Sequence, residues 1–330
     1  MMTRKLGSFT SAPVGLGCMN LSHAYGVPPS EKEAGELLNN ALDLGYNLLD
    51  TAALYGFGHN EELLGKFVKA RRSEFVLASK CGMFRNAEGV REINGHPDMI
   101  RQTCEDSLRR LQTDVIDLYY LHRWDKNVPI EESVGALSDL VAEGKIRDIG
   151  LSEISADTLR KAHAVHPIAA VQTEYSLWTR NPEIAVLDAC ADLGVTFVAF
   201  SPLARAFLAG KLRDVSLLAE KDLRRNMPRF YPQNYARNLQ LLDQVAVVAE
   251  QENCSLAQLA LAWVLGRSDN IVAIPGTTNL NHLEENFSAG AISLSDEAFT
   301  RLDQIINQHT VVGGRYNDVT QAEIDTEEFA

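Results

Sequence analysis

Four side chains in the first 122 residues have the right types for proton chemistry on a carbonyl group: the Asp50 carboxylate, the Tyr55 phenol, the Lys80 ammonium and the His122 imidazole. Asp50 closes the apolar run YNLLD (46–50), Lys80 closes FVLASK (75–80) and His122 closes VIDLYYLH (115–122), with Tyr55 on the loop just after Asp50. A free phenol, with a pKa of about 10, is too weak an acid for efficient proton transfer at neutral pH. A neighbouring ammonium favours the phenolate and lowers that value, and an adjacent carboxylate keeps the ammonium charged in a dry site. The expected order is Asp50 holding Lys80 and Lys80 tuning Tyr55, while His122 either orients the substrate oxygen or shares the proton relay. Each residue also has a purely structural reading. Asp50 with Thr51 suits a turn cap after a strand, and His122 suits a core histidine next to a salt-linked Arg123–Trp124–Asp125 loop.

Positioning four such groups at one rim requires a particular scaffold. Strand-like runs occur at 14–18, 46–50, 75–80, 115–122, 146–152, 169–174, 195–201 and 270–276. Helical periodicity fills segments between them, at 30–45, 60–70, 97–111, 130–144, 155–165 and 182–194, with Ser30 and Glu33 spaced as a capping box. Strands alternating with helices imply parallel pairing through right-handed crossovers. Eight such units without a linker predict one (β/α)8 TIM barrel spanning 1–330 as a single domain, and reactive groups of such barrels lie at the C-terminal ends of the strands. The early RKLGSFTSAPVG predicts a hairpin plugging the bottom of the barrel, and no GxGxxG follows the first strand, which weakens a Rossmann alternative. Residues 202–235 read as one long irregular loop rich in Arg and Pro, and two extra helices are expected at 279–289 and 295–308 before a polar tail.

Composition narrows the function classes. A net charge of −13 opposes nucleic-acid binding, and no apolar run approaches the ~20 residues a membrane span needs. The first residues, MMTRKLGSFT, lack the apolar core of a secretory signal, so a cytoplasmic protein is expected. The five cysteines are odd in number and never in CxxC, which predicts reduced thiols rather than a disulfide frame, and the eight histidines show no ligand-like spacing for a metal. Polar residues end the remaining strands: Ser152 and Glu153, Gln172, Ser201, and Gly276 with Thr277. The run IPGTTNLNHLEEN (274–286) puts Gly-Thr-Thr at a strand-to-helix junction, which suits either a phosphate on backbone N–H groups or plain N-capping by Thr278 or Asn279.

NLLDTAALYGFGHNEELLGK (47–66), VLASK (76–80), DLYYLHRWD (117–125), GKIRDIGLSE (144–153), VQTEYSLWTR (171–180), AFSPLARAFLAGK (199–211) and IPGTTNLNHLEEN together resemble the aldo-keto reductases over essentially the whole chain. The resemblance implies a barrel that binds NADPH in extended form and transfers hydride directly to a small aldehyde or ketone, with Asp50, Tyr55, Lys80 and His122 as the tetrad and Tyr55 as its acid. It implies that Ser152, Glu153 and Gln172 lie at the nicotinamide carboxamide, with Phe200 stacked on the ring. Ser201, Leu203 and Lys211 match the pyrophosphate strap, and Gly276, Thr277, Thr278, His282, Glu285 and Asn286 the adenosine-phosphate end. Met19, Tyr25 and Trp124 are expected along the substrate pocket, with the tail around VVGGRY (311–316) over its opening.

Some positions depart from the family pattern. Glu153 stands where Asn is usual, and Ala204 and Ala206 stand where the strap commonly has glycines. No Lys or Arg occurs between Arg267 and Arg301, which weakens the charge-assisted grip that selects a 2′-phosphate. The resemblance therefore favours NADP(H) and leaves NAD(H) open. Two other classes stand beside this reading. A lyase would use Lys80 as a Schiff base, against which Asp50 counts by keeping the lysine protonated. A cofactor-sensing accessory subunit without turnover is the other, because some family members serve ion channels.

Overall fold

The computed structural model describes residues 3–22, 24–86 and 89–329. The chain opens with an antiparallel hairpin, β1 (Arg4–Leu6) and β2 (Phe9–Ser11). The barrel strands are β3 (Leu16–Gly17), β4 (Leu48–Asp50), β5 (Val76–Cys81), β8 (Ile116–Leu121), β9 (Ile146–Ser152), β10 (Ile168–Glu174), β11 (Thr196–Phe200) and β12 (Ile271–Ile274). They pair in parallel in chain order. The ring closes where Val14 bridges Ala273, through Gly15 N–H to the Ala273 carbonyl at 2.9 Å and Ala273 N–H to the Pro13 carbonyl at 3.0 Å. Gly17 is required at this seam, because a Cβ there would stand 2.8 Å from the Ile274 carbonyl oxygen. The expected (β/α)8 barrel is the fold observed.

Two apolar layers hold it. Inside the ring, Leu48, Val76, Ala78, Leu118, Tyr120, Ala170, Val198, Val272 and Ile274 fill the lumen, and fully buried Leu6 of the N-terminal hairpin joins them as the predicted plug. Outside it, the helices pack on the strands in a second, larger core. The crossover helices are α1 (Glu31–Leu44), α2 (His59–Val68), α3 (Pro97–Leu111), α4 (Ile130–Ala142), α5 (Ala156–Val165) and α6 (Val186–Leu193). α1 starts at the predicted capping box, with Ser30 and Glu33 each accepting from the other's backbone N–H.

Three features were not foreseen. α7 (Pro232–Gln251) begins inside the stretch read as loop, and α8 (Leu256–Gly266) follows it as the buried crossover to β12. α8, LAQLALAWVLG, is apolar on nearly every side, so it carries no amphipathic period to read. A rim hairpin, β6 (Met83–Arg85) with β7 (Arg91–Ile93), rises from the end of β5. Residues 201–231 between β11 and α7 contain only short 3-10 turns. The two late helices are present as α9 (Leu280–Ser288) and α10 (Asp296–Ile305), and the tail adds α11 (Asp318–Ala322). Among the described residues no helix is long and apolar enough to cross a membrane.

Candidate active site

The C-terminal mouth of the barrel opens into a cleft of about 830 Å3. Parallel register puts Asp50 beside Ala78 on β5 and Lys80 beside Tyr120 on β8, so neighbouring strands deliver their polar ends to one spot. Lys80 is fully buried beneath the cleft floor. Its Nζ donates to Asp50 Oδ1 and, at 2.7 Å, to the Thr51 carbonyl. The turn-cap reading of this stretch belongs to Thr51, whose hydroxyl donates to Asn60 Oδ1 at 2.7 Å, and not to Asp50. The second Asp50 oxygen accepts from Gln172 Nε2 at 2.8 Å, which ties a strand on the far wall to the tetrad.

Tyr55 comes from the loop between β4 and α2. Gly58 ends that loop at φ 98°, and a Cβ there would strike the Arg110 side chain at 2.7 Å. Arg110 is fixed by Glu61 Oε2 at 2.7 Å, and Glu61 also accepts from Ser79 on β5, so α2 and its loop are locked to the strand carrying Lys80. The Tyr55 ring lies with Lys80 Nζ 5.1 Å from its centroid and meets the His122 ring edge-on at 5.9 Å. His122 sits one residue beyond β8, its N–H still bonded to the Cys81 carbonyl at 2.9 Å.

The electrostatics correct one sequence expectation. Burial raises the Tyr55 phenol, and this outweighs the lowering by Lys80, so the net shift is upward rather than downward. The phenol is therefore protonated through the neutral range, the form that can give a proton to a carbonyl oxygen. Burial alone would discharge Lys80, but Asp50 and Tyr55 more than offset it and hold the ammonium above the usual lysine value. Burial, then Arg123, Lys80 and Arg91, hold the His122 imidazole well below its usual value. A neutral imidazole keeps one N–H to donate and one acceptor. The expected result is a kcat/KM profile with no inflection near pH 6–7, where an ordinary histidine titrates. A steady-state pH series showing such an inflection, abolished by His122→Asn, would contradict this.

Most of the other predicted residues share the cleft wall: Met19, Tyr25, Ser152, Gln172, Phe200, Ser201, Leu203, Lys211, Gly276, Thr277, His282, Glu285 and Asn286. Three do not. Glu153, held at φ 57°, is fully withdrawn, its Oε1 accepting from Arg315 and from the Glu174 N–H at 2.9 Å. Trp124 packs against the outer core and donates its indole N–H to the Val128 carbonyl at 2.9 Å. Thr278 is exposed off the wall, and the N-capping of α9 falls to Asn279, which accepts from the Asn281 and His282 N–H groups. The wall also contains residues the sequence did not single out, among them Arg91 and Met83 from the rim hairpin, Arg205 and Met227, and it contains Arg123, whose expected salt link is absent among the described residues, its Nη1 donating instead to the His122 carbonyl and Ser152 Oγ. Tyr316 and Thr320 bring the tail to the opening, as VVGGRY suggested. The rim hairpin had a faint signal in the turn-forming Gly89 between two short alternating runs.

A closed eight-stranded barrel with a carboxylate, a lysine, a tyrosine and an imidazole gathered at its mouth defines a class of single-barrel oxidoreductases. The chain matches the Aldo/keto reductase family over residues 13–307 and belongs to it. It is 43% identical over 321 residues to the aldo-keto reductase yakc of Schizosaccharomyces pombe, whose name carries NADP(+), covering 95% of this chain and 94% of that one. Among solved structures it resembles the glycerol dehydrogenase of Gluconobacter oxydans, with a TM-score of 0.86, 29% identity and 99% of each chain covered. An aldo/keto reductase of Klebsiella pneumoniae in complex with NADP and acetate has a TM-score of 0.73 at 28% identity, covering 96% of this chain and 98% of that one.

Proposed function

We propose that this protein is a carbonyl reductase that moves a hydride between NADP(H) and an aldehyde or ketone, with Tyr55 exchanging the proton at the carbonyl oxygen. The observation that carries the reading is the buried Asp50–Lys80 pair beneath a protonated Tyr55 at one end of a cleft long enough to reach from β9 and β10 to the start of α9. That cleft fits a dinucleotide in volume and in donor set. Ser152 and Gln172 suit the carboxamide, Phe200 offers a ring face, and Ser201, Leu203 and Lys211 suit the pyrophosphate. Gly276, Thr277, His282, Glu285 and Asn286 suit the adenosine end. A bound nicotinamide would supply the hydride. The chain's own part is to hold the carbonyl oxygen between Tyr55 and His122 and to supply its proton from Tyr55. Lys80 remains an ammonium and Asp50 keeps it so.

NADP(H) is preferred because relatives carry NADP in their names or structures. The cytoplasm is the proposed location, in keeping with five free cysteines, four of them buried. A held ammonium is a poor nucleophile, so the Schiff-base alternative gains no support from Lys80. Titration with NADPH and NADH by protein fluorescence, followed by a carbonyl panel read as loss of reduced cofactor, tests the reading. Saturable quenching by NADPH and carbonyl-dependent consumption are expected. Cofactor binding without any consumption would favour an accessory role, and binding of neither nucleotide would end the proposal.

A further inference from the structure

The cleft wall carries five long cations, Arg91, Arg123, Arg205, Lys211 and Arg224. Three of them are neutralised where they stand: Arg91 by Glu323, Arg205 by Glu174 at 2.7 Å and Arg224 by Asp222 at 2.7 Å. Lys211 lies on the strap assigned above to the pyrophosphate. Arg123 differs from all of these. Its Nη1 donates to the His122 carbonyl at 2.6 Å and to Ser152 Oγ at 3.3 Å, both neutral acceptors. Among the described residues no carboxylate pairs with it, and its Nε is buried without an acceptor. It directly follows His122 in the chain and lines the same cleft as Tyr55 and His122.

With Nη1 engaged and Nε enclosed, Nη2 is the free donor, and a charged donor in a partly desolvated wall is a receptor for an anion such as a carboxylate, because the attraction is stronger there than in water. The same cleft is also lined by the apolar Leu54, Met83 and Met227, which suit a short carbon chain between the two polar ends of a substrate. We propose that Arg123 selects carbonyl substrates bearing a carboxylate close to the reacting carbon, that is, short oxo acids over neutral aldehydes and ketones. The inference rests on the oxidoreductase reading and narrows its substrate class.

The test compares matched pairs with the full-length protein. With NADPH, kcat/KM is measured for 4-oxobutanoate and for butanal. Independently of turnover, calorimetry in the presence of NADPH compares binding of butanoate and butanamide. The wild type is expected to favour the anionic member of each pair by about tenfold or more. In Arg123→Gln both ratios should fall toward one, and Arg123→Lys should recover part of each. Added salt should shrink the wild-type ratios, as it does for a charge contact open to solvent. A wild type that treats the two members alike, or an Arg123→Gln variant that keeps the ratios, overturns the inference. A binding ratio that depends on Arg123, with no carbonyl turned over, would support the anion contact and overturn the oxidoreductase reading instead.

Discussion

Replacing Tyr55 with phenylalanine should lower carbonyl reduction by about 10²–10⁴-fold, the usual worth of a positioned proton donor, while cofactor binding stays close to that of the wild type. Only the hydroxyl is removed. The ring that Lys80 faces at 5.1 Å and that meets His122 edge-on at 5.9 Å is retained, so the floor of the cleft keeps its shape. The loss should fall on kcat more than on KM, because the proton is needed in the transition state and not for binding. Lys80→Met is the informative companion, since it leaves the Asp50 carboxylate buried with Gln172 as its one side-chain partner among the described residues. That variant should lose activity and also stability, as expected when one member of a buried pair is deleted. Single-turnover measurements at saturating NADPH would separate the two. A Tyr55→Phe enzyme within tenfold of wild type in the hydride-transfer step would refute the assigned acid.

Why the shared location of these side chains was legible in the sequence, and the direction of the Tyr55 shift was not, comes down to the range of the interactions. Asp50, Lys80 and His122 each end a short apolar run, and the barrel rule converts that into a shared location without any contact being known. The hairpin plug was equally legible, because Leu6 and Phe9 flank a glycine turn next to the first strand. The sign of the Tyr55 shift depends on how deeply its loop is buried, a property set by Gly58, Glu61, Arg110 and α3 together. α8 escaped because an all-apolar helix has no period, and α7 because its start lies in a Pro- and Arg-rich stretch that looks like loop. Glu153 was misplaced for a related reason. Its partner Arg315 lies 162 positions away, so no local pattern announces that its carboxylate turns from the cleft toward the tail.

That same tail contact sets the largest expected effect on stability. Glu174, at the end of β10 and almost fully buried, is shared by Arg205 at 2.7 Å, Arg315 at 3.1 Å and the Tyr316 hydroxyl at 3.2 Å. Burial alone would raise its carboxyl, but Arg205 and Arg315, with Arg229, outweigh it and bring it down to about 2. A carboxylate whose folded value lies below its unfolded value of about 4.3 stabilises the fold above that unfolded value. The contribution is lost as pH falls from there toward about 2, and its full size is on the order of 3 kcal/mol. Glu174→Gln should therefore cost about 3–5 kcal/mol at pH 7, since two buried guanidinium groups lose their common anion. The gap between wild type and variant should narrow as the pH is lowered below about 4, because protonation makes the wild type resemble the variant. Urea unfolding from pH 7 down to the lowest pH at which both remain folded measures it directly. The cofactor KM should rise as well, because Arg205 and Tyr316 both line the cleft and Arg205 sits within the left-handed run 204–206 of the loop proposed to hold the pyrophosphate. A gap that stays constant with pH would mean that Glu174 acts through packing alone, and that the tail is not held to the barrel rim by its charge.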